Sequence, residues 1–183
     1  MNFAIELRHA GRQARRLLAA ALLIALGGGA TLAHDGHDMV AGNNPLADAV
    51  RDANGRFADV AVAIAEGYAP IPCVSGVEGG AMGIHYVNGA LIEDEAIDIA
   101  HPEAVMYEPG PDGAMELVAV EYIATKGPSE LGGHLFAFNG SPNRYGLPPF
   151  YELHVWAWRA NATGTFADMN PAVSCDAAPM PTN

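Results

Sequence analysis

Hydrophobic spacing divides the chain into an N-terminal helical part and a longer part with the periodicity of strands. Between Asn44 and Gly67 the apolar residues recur at intervals of three and four, which places them on one stripe of a helix. Asn44 followed by Pro45 is typical of a helix N-cap with proline at the first helical position. We therefore predict one long helix with a single face to bury. Its apolar stripe is formed by Leu46, Val50, Ala53, Phe57, Val60 and Ile64.

The pattern changes after Pro72 to short apolar runs, several of them alternating with polar residues, separated by glycine and proline. Consecutive strands joined by turns favour antiparallel pairing. We expect an α+β fold in which the long N-terminal helix packs on a curved antiparallel sheet of four to six strands, with long irregular loops. The predicted strands are 84–88, 104–107, 115–124, 135–138 and 151–158.

The last predicted strand, 151–158, carries large side chains on both of its faces. One face is apolar, and the other presents Glu152, His154, Trp156 and Trp158. Two indoles on an open face would form an aggregation-prone patch, so something must cover them. The cover could be the chain's own loops 139–150 and 161–172, a small ligand, or a second copy of the chain in a homodimer.

The N-terminal end has the pattern of a targeting segment. Residues 1–33 carry four arginines, then a short apolar run, then small residues that end in Ala33, which predicts a secretory signal peptide. Residues 34–43 are polar and predict a flexible leader rich in histidine and aspartate. Residues 44–183 are expected to form a single α+β domain. We therefore predict an exported protein, periplasmic or extracellular, with no membrane insertion after signal cleavage.

Composition adds an expected disulfide and excludes one class of partner. The formal net charge is −12, and removal of the four N-terminal arginines makes the remaining chain more acidic. Such a chain repels polyanions, so nucleic acid is excluded as a partner. Cys73 and Cys175 are expected to pair in an oxidising compartment, with two buried thiols as the alternative.

Histidine is the residue type best able to carry chemistry in this chain. The candidate ligands for copper or zinc are His34 and His37 in the leader and His85, His134 and His154 in or beside strands. The strand histidines could converge with Glu121 or Glu152 into a site in which a carboxylate orients an imidazole. None of them has the close spacing that marks a metal site from sequence alone. Single hydrogen-bonded histidines in a half-buried sheet are the alternative.

Sequence motifs favour binding over catalysis. The chain has no nucleophile elbow, phosphate loop, dinucleotide fingerprint or His-Glu-x-x-His helix. We therefore predict a non-catalytic protein that binds a small ligand or a metal ion on the face of the sheet that carries Trp156 and Trp158. The predicted lining is Tyr86, Glu121, His154, Trp156 and Trp158. The alternatives are a periplasmic copper- or zinc-handling protein and a small enzyme with a histidine–glutamate acid–base pair.

Three segments carry a resemblance to a known group of proteins. They are GAMGIHYVNGALI, VMYEPGPDGAMELVAVEYIA and SPNRYGLPPFYELHVWAWRANATGTFADMNPAVSC. On these segments the chain resembles a family of small exported bacterial proteins of uncharacterised function, from Arg56 to Cys175. The resemblance implies export but no activity. The order of helix and sheet also resembles the cone-shaped fold of nuclear transport factor and of many small-ligand enzymes, a likeness of architecture alone.

Overall fold

The computed structural model describes residues 44–76 and 79–179 of the chain. The predicted signal peptide and the predicted leader, with His34 and His37, lie outside the described residues and stay predictions. Among the described residues, no helix combines the length and the apolar character that a membrane crossing requires.

The N-terminal region contains short helices in place of the single long helix that we predicted. They are α1 (Pro45–Asn54), a 3-10 turn (Gly55–Ala58) and α2 (Val60–Ala65). Asn44 caps α1 as expected, because its side chain accepts hydrogen bonds from the backbone N–H groups of Leu46 and Ala47 at 2.9 and 3.2 Å. The long helix is wrong because Asp59 adopts extended backbone and caps a new helix through the N–H of Ala61.

The break divides the predicted apolar stripe. Its first half is buried in the core at Leu46, Val50 and Phe57. Ile64 in the second half is 56% exposed. At the end of α1 the fully buried Asn54 donates hydrogen bonds from its amide to the carbonyl oxygens of Val50 and Ile99, at 3.0 and 2.8 Å. These bonds tie the end of α1 to the loop before β4.

In the part of the chain that the structure describes, nine strands form a central antiparallel sheet of seven strands and a separate pair. In chain order the strands are β1 (Ala69–Pro70), β2 (Val74–Ser75), β3 (Ala81–Val87), β4 (Ala104–Pro109), β5 (Met115–Ala124), β6 (Glu130–Leu131), β7 (His134–Leu135), β8 (Ala137–Asn139) and β9 (Phe150–Val155). The order across the sheet is β1-β3-β4-β5-β9-β8, with β2 also paired to β3, while β6 and β7 form a separate pair. A short helix, α3 (Gly89–Asp94), follows β3. The α+β class and the antiparallel sheet are confirmed, with more strands than predicted.

Two predicted strands differ from those in the structure. The predicted strand 135–138 is divided between β7 and β8, because the N–H of Phe136 donates to the carbonyl of Ser129 at 3.0 Å. The predicted strand 151–158 ends at Val155, because the N–H of Ala157 turns back onto the carbonyl of Val155 at 2.9 Å. This early end removes Trp158 from the period-two pattern of the strand.

Both faces of the sheet are buried. The face toward α1 and α2 carries the larger apolar cluster, in which tyrosine hydroxyls donate to backbone carbonyl oxygens. These bonds, 2.7–2.8 Å long, run from Tyr68 to Pro102, from Tyr107 to Phe57 and from Tyr122 to Ile99. The opposite face, which we call the second face, is covered by the short helix α3, by the 140–149 loop and by the C-terminal segment, 160–179. Leu147 of the loop packs near Ile123, and Val173 of the segment packs near Trp156.

The expected pairing of the cysteines is confirmed. The sulfur atoms of Cys73 and Cys175 lie at disulfide bonding distance, and the two residues are separated by 102 positions in the chain. The bond therefore ties the C-terminal segment to the region just before β2.

We predict that the variant Cys73→Ala/Cys175→Ala loses about 2–5 kcal/mol of unfolding free energy, because the unfolded chain is no longer constrained by a long closed loop. Urea unfolding measures this difference. Reductant should destabilise the wild-type protein and leave the double variant unchanged. Equal stability of the two oxidised proteins would contradict the prediction.

Candidate functional site

The second face carries a group of buried ionisable side chains between two apolar clusters. This group, which we call the Glu121 cluster, consists of His85, Glu121, Arg144, Tyr145, Glu152 and His154. Along β5 the residues on this face are Ala119, Glu121 and Ile123, so the carboxylate lies between an apolar residue of one cluster and one of the other. Because both neighbours are apolar, the charge of Glu121 must be compensated from within the cluster.

Strand register brings the three innermost side chains together. In the β5–β9 ladder Glu121 pairs directly with His154. On the other side, β4 places Ala104 opposite Glu121, and the small side chain of Ala104 leaves room for His85 to reach across from β3. The residues His85, Glu121 and His154 are 0%, 0% and 1% exposed. The site is therefore built on strands and closed to bulk water.

Four groups surround the carboxylate of Glu121. The Nη2 atom of Arg144 donates to both carboxylate oxygens at 3.1 Å, and the hydroxyl of Tyr145 donates to Oε2. The Nε2 atoms of His85 and His154 lie 3.3 and 3.6 Å from the same Oε2. Burial alone would raise the pKa of Glu121, but the charges of His154 and Arg144 hold this pKa well below its usual value. Glu121 is therefore ionised.

The pKa values of the two histidines in the cluster shift in opposite directions. Burial lowers the pKa of His85 to about 4, against the raising effect of Glu121, so this imidazole is neutral. Neither of its ring nitrogens has an aligned hydrogen-bond partner among the described residues. For His154, burial alone would lower the pKa, but the Glu121 carboxylate and the contact with Asp168 raise it. The carboxylate of Glu121 thus favours the protonated form of His154, whereas His85 stays neutral, with its Nε2 atom 3.3 Å from Glu121 but without an aligned hydrogen bond.

The 140–149 loop delivers Arg144 and Tyr145 to the cluster. Asn143 organises the loop from within, since its side-chain oxygen accepts from the N–H groups of Tyr145 and Leu147, both at 3.1 Å. Its side-chain nitrogen donates to the carbonyls of Gly140 and Leu147 at 3.0 and 2.8 Å. This local turn directs the two side chains after Asn143 toward the sheet.

The C-terminal segment covers the other end of the second face. Asn170 joins the segment to β3 through paired backbone bonds with Ala81, at 3.0 and 3.1 Å. The fully buried indole of Trp156 donates from Nε1 to the carbonyl of Ala167 at 2.6 Å. The neighbouring Asp168 then lies 3.5 Å from Nδ1 of His154. Of the possible covers for this face, the structure contains the chain's own loops.

The structure brings together some of the predicted site residues and separates others. His85, Glu121 and His154 converge as expected. Tyr86 lies on the helix side of the sheet, with its ring 5.1 Å from that of Tyr107, and Trp158 also packs against the helix-side cluster. The structure therefore separates these two side chains from His154, because Tyr86 alternates away from His85 and β9 ends before Trp158.

The remaining candidates lie outside the Glu121 cluster. His134 of β7 packs its ring against Phe166, with 4.0 Å between the ring centroids. Trp156 lies on the predicted face, but it belongs to the apolar cluster beside the site. The sequence pattern did not indicate that Arg144, Tyr145 and Asp168 belong to the site. The sequence signal for this part of the site was the pair Arg144-Tyr145 in a turn-rich loop just before a strand. The sequence does not determine on which part of the sheet such a loop packs.

The ligand atoms available in the cluster form two overlapping sets. Nitrogen and oxygen atoms of His85, Glu121 and His154 all lie within 4.8 Å of one another, as do those of Glu152, His154 and Asp168. His154 belongs to both sets, with Nε2 toward Glu121 and Nδ1 toward Asp168. Two imidazoles and a carboxylate are a donor set suited to zinc, copper, iron or nickel.

A cavity lies away from the cluster. It has a volume of about 650 Å³ and is lined mainly by apolar residues of α1, of the loop before β4 and of β6, among them Leu46, Ile97 and Leu131. None of its lining residues belongs to the Glu121 cluster. The cluster and this cavity are therefore separate features.

Comparisons with known proteins give no family for the chain. No protein-family model, curated protein or solved structure matches it. The function must therefore be argued from the geometry of the site.

A second buried carboxylate, Glu103, sets a pH dependence of stability. Its Oε2 accepts the N–H of Ile123 at 2.9 Å, while Oε1 has no partner among the described residues. Burial raises the pKa of Glu103 to about 8, with a smaller raising effect from Asp94. At neutral pH the carboxyl of Glu103 is therefore protonated in the folded protein and ionised in the unfolded chain. The free energy of unfolding falls as pH rises from the ordinary pKa of glutamate toward about 8.

We predict that Glu103→Gln weakens the loss of stability between about pH 5 and pH 8, by roughly 2–4 kcal/mol at the alkaline end. Urea unfolding at several pH values measures the effect, with Glu93→Gln, at an exposed position, as the matched control. Part of the slope should remain, because burial also raises the pKa of Glu152 to about 8. An unchanged slope in Glu103→Gln would contradict the assignment.

Proposed function

We propose that this protein binds a divalent transition-metal ion, such as Zn²⁺, through His85, Glu121 and His154. The observation that carries the proposal is the state of His85: it is completely buried and neutral, and neither ring nitrogen has an aligned hydrogen-bond partner among the described residues. Leaving a buried polar group unsatisfied costs about 1–3 kcal/mol. A metal ion bound at Nε2 would supply the missing partner.

The distances among the ligand atoms support a small ion. With metal–ligand bonds near 2.0–2.1 Å, a tetrahedral centre separates its ligand atoms by about 3.4 Å. The Oε2 atom of Glu121 is 3.3 Å from Nε2 of His85 and 3.6 Å from Nε2 of His154. These ligand atoms therefore need only small shifts to surround one ion.

Asp168 adds the contact that usually accompanies a metal-bound histidine. An imidazole that ligates a metal through one nitrogen normally directs its other nitrogen toward a carboxylate or carbonyl, which fixes the ring's orientation. In His154 the nitrogen away from Glu121 lies 3.5 Å from Asp168. We assign Asp168 the role of a positioning residue for His154.

Burial favours binding over catalysis at this site. An acid–base reaction needs a substrate within hydrogen-bond reach of the catalytic group. The three proposed ligands lie beneath the 140–149 loop and are almost completely buried, so an ion fits the space between them far better than an organic substrate. Together with the predicted export, this favours a periplasmic or extracellular metal-binding protein. Metal binding by the leader residues His34 and His37 remains a separate prediction.

We predict that purified protein carrying His34→Ala and His37→Ala still binds Zn²⁺. Adding His85→Gln or His154→Gln should reduce the affinity by at least about tenfold, because each change removes a ligand. Isothermal titration calorimetry measures binding, and circular dichroism verifies that each variant is folded. Visible absorption of the Co²⁺ form should report a low-coordinate site with nitrogen ligands.

The matched control is His101→Gln, because His101 is exposed and its Nδ1 atom contacts Asp98, outside the Glu121 cluster. This variant should bind Zn²⁺ like the parent protein. Absence of micromolar binding by the parent, or equal affinity in the His85 and His154 variants, would overturn the proposal.

A further inference from the structure

The side chain of Arg144 occupies the space beside the proposed ligands. Its Nη2 atom lies 3.1 Å from both oxygens of Glu121 and 3.4 Å from Nε2 of His154. These distances match those between neighbouring ligand atoms around a metal ion, so the guanidinium nitrogen stands where a further ligand of that ion would be. Arg144 and a metal ion therefore compete for the same carboxylate.

Charge makes this competition strong. Arginine stays protonated in proteins, so the guanidinium cannot become neutral when a divalent ion arrives. Two cations a few ångströms apart repel strongly in a buried environment with little screening by water. The single negative charge of Glu121 can neutralise the guanidinium, but it cannot also compensate a divalent ion. Binding of a metal ion thus requires Arg144 to leave Glu121.

A second acceptor for Arg144 lies within a short movement. The Oε2 atom of Glu152 is 3.6 Å from the same Nη2, and it already accepts a hydrogen bond from Nδ2 of Asn139 at 3.0 Å. The Nε atom of Arg144 is buried and has no partner among the described residues, so the guanidinium is incompletely satisfied in its present position. A small rotation would exchange the contact with Glu121 for a contact with Glu152.

The rest of the loop need not open for this exchange. The ring of Tyr145 packs edge-on against Phe150 and His85, with centroid distances of 5.6 and 6.2 Å, and Asn143 holds the turn together. The side chain of Arg144 is 17% exposed, so its outer edge reaches solvent. The side chain can therefore move while the loop backbone stays on the sheet.

We propose that Arg144 is the resident counter-ion of Glu121 and swings to Glu152 when a metal ion binds, so that this arginine sets the metal affinity of the site. The inference rests on the proposed metal site at His85, Glu121 and His154. It assigns the 140–149 loop a regulatory role: in the metal-free protein the arginine keeps the buried carboxylate compensated, and the metal ion takes over that role.

The test compares Zn²⁺ binding by three proteins that all carry His34→Ala and His37→Ala. One has no further change and is called the wild type here, and the other two carry Arg144→Gln or Arg144→Lys. Arg144→Gln removes the competing charge and should raise the affinity at least tenfold. Arg144→Lys keeps the charge and should stay close to the wild type. Arg159→Gln is the matched control, since Arg159 pairs with Glu108 and Glu116 outside the cluster, and it should leave the affinity unchanged.

A second variant keeps the test valid if Arg144→Gln does not fold. Glu152→Met removes the alternative acceptor, so Arg144 is held more firmly on Glu121 and the Zn²⁺ affinity should fall several-fold. Zn²⁺ binding by the wild type with equal or weaker binding in Arg144→Gln, or with unchanged or tighter binding in Glu152→Met, overturns the role of Arg144 and leaves the metal site standing. Absence of Zn²⁺ binding in the wild type and in Arg144→Gln overturns the metal site itself.

Discussion

The second face of the sheet depends on the compensation of one buried charge, that of Glu121. A carboxylate removed from water between two apolar clusters would be strongly destabilising alone. Its cost is offset by Arg144 and Tyr145 from one loop and by a histidine from the neighbouring strand. The 140–149 loop is therefore more than a connection between β8 and β9. It carries the side chains that make the burial of Glu121 possible, and its internal bonds from Asn143 keep those side chains in place.

The same arrangement explains why an ionic core and a metal site can share one set of residues. A buried carboxylate needs positive charge nearby, and either a guanidinium group or a metal ion can supply it. The histidines do not meet this need equally, because burial keeps His85 neutral while His154 is drawn toward its charged form by Glu121. A neutral imidazole that makes no aligned hydrogen bond to the ionised carboxylate beside it contributes little to a purely ionic core, and this asymmetry is what favours a metal ion as the missing component.

The two faces of the sheet are covered by different kinds of structure. The helix face is filled by apolar side chains and by tyrosines whose hydroxyl groups reach backbone carbonyls. Irregular chain covers most of the second face, where the short helix α3 also packs Ile92 against Ile123 and Phe150. Such cover is tied down at discrete points, including the backbone bonds of Asn170 with Ala81 and the bond between Cys73 and Cys175. The polar site thus lies under the part of the fold whose position depends most on specific contacts.

The sequence by itself determined the features that depend on local chemistry. These are the cap at Asn44, the strand 115–124, the antiparallel α+β class, and the shared face of Glu152, His154 and Trp156. A period of two or a capping side chain involves only neighbouring residues, so such features can be recognised without the fold. The break at Asp59 was missed because the apolar spacing continues across it, although that residue is itself a good N-cap. Only the tertiary structure decided that His85 reaches Glu121 across β4, that Trp158 turns to the opposite side, and that Arg144 completes the cluster. Strand order, register and loop placement bring together residues far apart in the chain, and they are set by the packing of the whole molecule, which no local pattern encodes.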